Sequence, residues 1–149
     1  MTKLFIGKKS TTNVNTINTF KTDLGSYEIT LQNRTLLVTI SGILELELAL
    51  RLMLQAKIII DELPHDHWAS LVDLRQWGLH PPEIVTFVQE FQEWASQQGQ
   101  LAEAAVVADS VLKVMARDKL IEDTRPNVHQ EYFTTMEDAR EWLEALDLF

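Results

Sequence analysis

The run Ala104 to Ala108, AAVVA, constrains the fold more than any other stretch of this chain. A strand with one wet face alternates apolar and polar residues. Five small apolar residues in a row instead read as a strand buried on both faces. Trp68 to Leu74 has a similar character, with Ala69, Leu71 and Val72 followed by Asp73 and Arg75 one alternation apart. It leaves through Trp77, Gly78, His80 and the Pro81-Pro82 pair. Between these two strands, Glu83 to Gln98 is an amphipathic helix with Ile84, Phe87, Val88, Phe91, Trp94 and Ala95 on one face. Pro81 and Pro82 suit its start and Gly99 its exit. Strand, helix and strand in this order predict parallel strands joined by a right-handed crossover.

The remaining segments extend the same plan. Tyr27, Ile29 and Leu31 alternate with Glu28, Thr30 and Gln32, the period of a half-buried strand. Asn33-Arg34 predicts a tight hairpin into Thr35–Ile40, because Asn tolerates positive φ; Ser41-Gly42 closes it. Upstream, the Thr/Asn-rich run TTNVNTINT reads as an irregular surface segment or a frayed edge strand. Downstream, Asp109 or Ser110 suits the cap of a helix from Val111 to about Ile121, and Glu122 to Asn127 reads as a charged loop. Glu131 to Thr135 gives a last strand. Thr134 to Glu137 has capping-box spacing before a closing helix whose inner face is Ala139, Trp142, Leu143 and Leu146. The expected order is β-β-α-β-α-β-α-β-α, with room for one more strand at the N-terminus. That is an α/β fold: a mixed sheet with an N-terminal antiparallel hairpin and later parallel strands, flanked by about four helices. At 149 residues a single domain over residues 1–149 is expected.

Ile43 to Leu63 needs separate argument. Leu44, Leu46, Leu48, Leu50, Leu52 and Leu54 recur at period two, which suits a strand. The run nevertheless has no Gly or Pro and is rich in helix formers, so its length decides for helix. Glu47, Arg51 and Gln55 then fall on one narrow stripe. An apolar arc of about 100° is enough for a helix packed on a sheet. Leu48, Leu52, Leu54, Ile58 and Ile59 exceed that need, so this helix should have a second apolar neighbour.

Composition excludes whole classes of function. The net charge of −9 argues against nucleic acid, whose phosphates are held by Lys and Arg, and against an anionic membrane surface. Absence of cysteine rules out disulfides, zinc–thiolate sites, Fe–S clusters and a cysteine nucleophile. No stretch reaches the length and apolarity of a transmembrane helix or a signal peptide, so a cytoplasmic protein is expected. Neither G-x-G-x-x-G nor a P-loop occurs, and no cofactor is expected.

The succession Tyr27-Glu28-Ile29, Leu37 to Gly42, and Trp68 followed by Leu71-Val72-Asp73-Leu74-Arg75 resembles the SpoIIAA-like proteins of the STAS fold. So does the sequence from Phe91 through Trp94-Ala95 and Gly99, Ala105-Val106-Val107, and Glu131-Tyr132-Phe133 leading to Asp138-Ala139-Arg140-Glu141-Trp142-Leu143. The resemblance runs from about residue 26 to 146 and rests on core positions. It implies a bacterial interaction or ligand-binding module, a class that includes anti-sigma-factor antagonists and, more distantly, Sec14-type lipid carriers. Antagonists carry a phosphorylatable Ser in the loop after the strand that here is Leu71 to Leu74. Arg75 to Pro82 contains no Ser or Thr, so the resemblance comes without that switch.

Candidate sites follow from these elements. Asp73, Arg75 and His80 form a candidate polar rim, with the alternative that Asp73 and Arg75 simply pair and seal a strand end. His65, Asp66 and His67 beside Asp61 and Glu62 have a metal-like composition, but no second cluster is near in sequence, and no metal is expected. Ser70, His80 and Asp109 spell a triad without a nucleophile elbow; no catalytic residue is assigned. The candidate ligand or partner surface is Leu48, Leu52, Ile59, Trp77, Phe87 and Phe91, with the alternative that the aromatics, including Trp68, Trp94 and Trp142, are core packing. The expectation is a non-enzymatic module that binds a protein partner or dimerises, or else carries a small apolar or amphipathic ligand.

Overall fold

The computed structural model describes residues 17–63, 67–78, 82–117 and 125–149. Among these residues six strands form one mixed sheet in sequence order: β1 (Asn18–Lys21), β2 (Gly25–Gln32), β3 (Thr35–Gly42), β4 (Trp68–Trp77), β5 (Gln100–Val106) and β6 (His129–Phe133). β1, β2 and β3 are antiparallel neighbours, and β3 to β6 run parallel. The helices are α1 (Leu46–Asp61), α2 (Pro82–Ser96), α3 (Asp109–Arg117) and α4 (Met136–Ala145). The expected α/β architecture is therefore present, and the extra strand at the N-terminus is real.

Local chemistry explains the joints. Gln32 pairs with Thr35 across a two-residue turn, and Asn33 sits at φ 56°, the left-handed conformation that Asn tolerates. Gly42 has φ 76°, and a Cβ there would lie 2.5 Å from the Leu24 carbonyl oxygen. Only glycine lets β3 turn away so close to the β1–β2 connection. The closing helix starts one residue later than its capping-box spacing suggests. Thr135, not Thr134, is the N-cap, and its hydroxyl accepts from the Asp138 amide. Either Thr can accept that bond, and the end of β6 at Phe133 leaves Thr135 as the extended residue before α4.

Two apolar layers lie on the two sheet faces. On one, Tyr27, Ile29, Leu36, Val38, Ile40 and Trp68 pack with the inner side of α1 and with Ile84 and Ala95 of α2. On the other, Ala69, Leu71, Ala102, Ala104 and Val106 pack with Ala139 and Leu143 of α4 and with Leu148 beyond it. The C-terminal segment is tied down as well: the buried Thr35 hydroxyl donates to the Leu148 carbonyl at 2.6 Å. Ala104 and Ala105, adjacent in β5, are both buried, as a strand covered on both faces requires. β5 begins at Gln100, four residues before the AAVVA run. β6 begins at His129, two before the expected start. Leu146 caps α4 and is 39% exposed, so it does not belong to that helix's inner face.

Candidate functional site

The residues singled out from the sequence separate into three places. Alternation along β4 sends Ser70 and Val72 towards α1 and α2, and Asp73, paired with Val106, towards the α4 face with Ala69 and Leu71; the register then shifts, so that Leu74 and Trp77 both face α1 and α2. Arg75 grips Asp73 with both ends of its guanidinium, Nε to Oδ1 at 3.0 Å and Nη2 to Oδ2 at 2.9 Å. The Arg75 amide adds a bond to Oδ1 at 3.1 Å. Neither Asp73 nor Arg75 lines the cavity described below, so the pair does not rim it. His80, the third member of the expected rim, lies outside the described residues, as do His65 and Asp66. No metal-binding cluster occurs among the described residues. Ser70 is buried and bonded to Glu103, while Asp109 pairs with Lys113 at 3.2 Å on the surface.

Hydrogen bonding to Arg75 holds the Asp73 carboxyl below its ordinary range, with burial opposing. A carboxylate depressed in the folded state contributes stability that is complete above its unfolded value of about 3.9 and is lost as pH falls through the lower folded value. Arg75 is 41% exposed, so solvent screens the pair and about 1 kcal/mol is the expected scale. Urea midpoints of Asp73→Asn should therefore lie below those of the parent at neutral pH. The gap should close as the pH falls below about 4. A gap unchanged in acid would remove the charge from the explanation.

The second place is a cavity of about 150 Å³ between α1, α2 and the sheet. Its walls are apolar: Val38, Leu52, Ala56, Trp77, Val88 and Phe91 are among them. At one end the lining becomes polar through Ser70, Gln100, Glu103 and Arg125. These four are buried, and they bond to one another. Arg125 Nη1 donates to Glu103 Oε1 at 3.2 Å, as does the Ser70 hydroxyl at 3.2 Å. Gln100 Nε2 donates to Ser70 Oγ at 2.9 Å, and Gln130 Nε2 reaches Glu103 Oε2 at 3.3 Å. Trp68 seals the same layer by donating its indole N–H to the Gln98 carbonyl at 2.8 Å.

This polar cluster was not among the residues picked from the sequence. The signal was Glu103: a carboxylate one residue before an unbroken apolar run cannot be buried without a partner. Its partner, Arg125, stands in what reads as a solvated loop.

The third place is the outside of α1. Leu46, Leu50, Leu54 and Ile58 are 53%, 43%, 63% and 59% exposed and recur every four residues, so they form one row on the helix surface. Leu50 and Leu54 continue into a groove of about 300 Å³ shared with Phe87, Phe91 and Trp94 of α2 and bordered by Lys57 and Glu90. Lys57 lies over the Trp94 ring at 5.0 Å. Of the candidates for a ligand or partner surface, Leu48 is fully buried and Leu52 is 9% exposed, because their helical positions point at the sheet; neither belongs to the outer row, and Leu52 lines the inner cavity instead. Ile59 is half-buried against the same core. Trp77, Phe87 and Phe91, expected to line one pocket, are divided: Trp77 faces the inner cavity, Phe87 the outer groove, and Phe91 borders both. Trp142 packs on the other face between His129 and Phe133.

No family model matches the chain, and no curated protein is similar to it in sequence. Solved structures are similar in fold. An uncharacterized protein of the DUF3478 family with a SpoIIAA-like fold, from Shewanella loihica PV-4, superposes with a TM-score of 0.66 at 12% identity. The match covers 83% of this chain and 98% of that one. An anti-sigma factor antagonist from Mycobacterium paratuberculosis superposes with a TM-score of 0.51 at 14% identity, over 87% of this chain and 95% of the other. At such identities the likeness concerns the backbone arrangement alone. The order of strands, the two covered faces and these superpositions together make this a chain of SpoIIAA-like fold.

Proposed function

We propose that the protein is a non-enzymatic interaction module that docks another protein, or a second copy of itself, along the outer row of α1. The exposed row Leu46, Leu50, Leu54 and Ile58 carries this reading. Single exposed leucines are ordinary, but a contiguous aliphatic row beside an aromatic groove is the kind of patch that marks an interface. The Mycobacterium paratuberculosis protein of similar fold is an anti-sigma factor antagonist, which agrees with a role exercised on a protein. Arg75 to Pro82 holds no Ser or Thr, so we read the module as working without a phosphoserine switch. No helix of the described residues is long and apolar enough to cross a membrane.

Light scattering at high micromolar concentration tests the self-docking form. A dimer mass is expected, reduced to a monomer by Leu50→Lys combined with Leu54→Lys. Exposed substitutions of this kind change stability by only about 0.5 kcal/mol each, so the folded monomer should persist in circular dichroism. A parent protein that is already monomeric would eliminate self-docking. A second reading, a carrier or sensor of a small ligand, is favoured by the cavity between α1, α2 and the sheet.

A further inference from the structure

The polar end of the inner cavity has a chemical preference of its own. Gln100 is 3% exposed, and its amide orientation is fixed by its neighbours. Nε2 faces Ser70 Oγ at 2.9 Å, the Ala102 carbonyl at 3.3 Å and Glu103 Oε1 at 3.5 Å. A carbonyl and a carboxylate only accept hydrogen bonds, so the amide nitrogen must be the atom turned towards them. The amide oxygen is then left buried with no donor among the described residues. An acceptor in that state is unfavourable unless something donates to it. Glu103, by contrast, already accepts from Ser70, Arg125 and Gln130.

The rest of the cavity limits what the donor is attached to. Its lining is almost wholly hydrocarbon and aromatic, and its volume of about 150 Å³ is that of a cavity that holds a benzene-sized molecule. That is too small for a lipid chain or a drug-sized ligand. An extra charge is also disfavoured: Glu103 and Arg125 pair with each other, and beyond them an ion would meet only the neutral side chains of Ser70, Gln92 and Gln100 and apolar walls.

We propose that this cavity binds a small neutral molecule, about one aromatic ring in size, that carries a single hydroxyl or N–H group and donates it to Gln100 Oε1. The proposal rests on the carrier reading above and adds the class of ligand. Phenol and toluene are the probes, since they share a ring and differ in the donor. Isothermal titration calorimetry on the whole protein should show phenol binding at least about tenfold more tightly than toluene, the equivalent of one hydrogen bond of about 1.4 kcal/mol. Gln100→Met should remove the preference for phenol or reverse it in favour of toluene, because the phenol hydroxyl would then be buried without its acceptor. Ala56→Leu, which fills the cavity from α1, should abolish both. Equal binding of phenol and toluene by the parent protein would overturn the donor site while leaving the carrier reading intact. Binding of neither would overturn both. Retention of the phenol preference in Gln100→Met would assign it to another group and equally refute the proposal. Should Gln100→Met not fold, the comparison of phenol with toluene on the parent decides alone.

Discussion

Arg125→Met is expected to destabilise the protein by about 3–5 kcal/mol, a large fraction of what a domain of this size possesses. The two side chains of the Arg125–Glu103 pair are 7% and 9% exposed, so little water can replace the guanidinium at the carboxylate. Removing the guanidinium strands a carboxylate beside an apolar cavity. Most of the loss is the cost of that stranded charge, not the value of the pair itself. In a Glu103→Gln background the guanidinium is itself the buried charge that has lost its partner, so Arg125→Met should cost far less there, or stabilise. Urea unfolding of the four proteins of this cycle gives the coupling directly. Equal losses in the two backgrounds would mean that Arg125 does not act through Glu103.

That pair also shows where the sequence stops being legible. The fold was readable because it rests on redundant signals: the period of β2, the unbroken apolar run in β5, the length of the α1 segment and Gly or Asn at the turns. Each survives an error of one or two residues. The polar cluster rests on a contact between Glu103 and Arg125, 22 positions apart, and no local period encodes it. A strand read from Ala104 onward leaves Glu103 outside it and hides the local hint, a carboxylate in a buried strand. Arg125, amid charged neighbours beside Pro126, had every feature of a solvated loop residue. For Asp73 and Arg75 a spacing of two in a strand was enough to anticipate the pair. That spacing did not reveal which sheet face it occupies, because face is set by which helices cover the strand.

The α1 segment gives the sharpest case. Its excess of apolar residues was legible, but the assignment of individual leucines was not: residues two apart in a leucine-rich helix differ by about 200° in direction. Leu48 and Leu54 are the same residue type in one helix, 0% and 63% exposed. Leu48→Ala should cost about 2–5 kcal/mol, since it removes buried methyl groups and leaves a hole between α1 and the sheet. Leu54→Ala should change stability by no more than about 0.5 kcal/mol. The order should reverse for docking. Sedimentation or light scattering on Leu54→Ala should show weakened association. Leu48→Ala, where it remains folded, should associate as the parent does, because its side chain never reaches the outer row. Similar stability losses at both sites would mean that a neighbour covers the row in the isolated chain. Unchanged association in Leu54→Ala and in the Leu50→Lys, Leu54→Lys double variant would remove α1 as the docking surface.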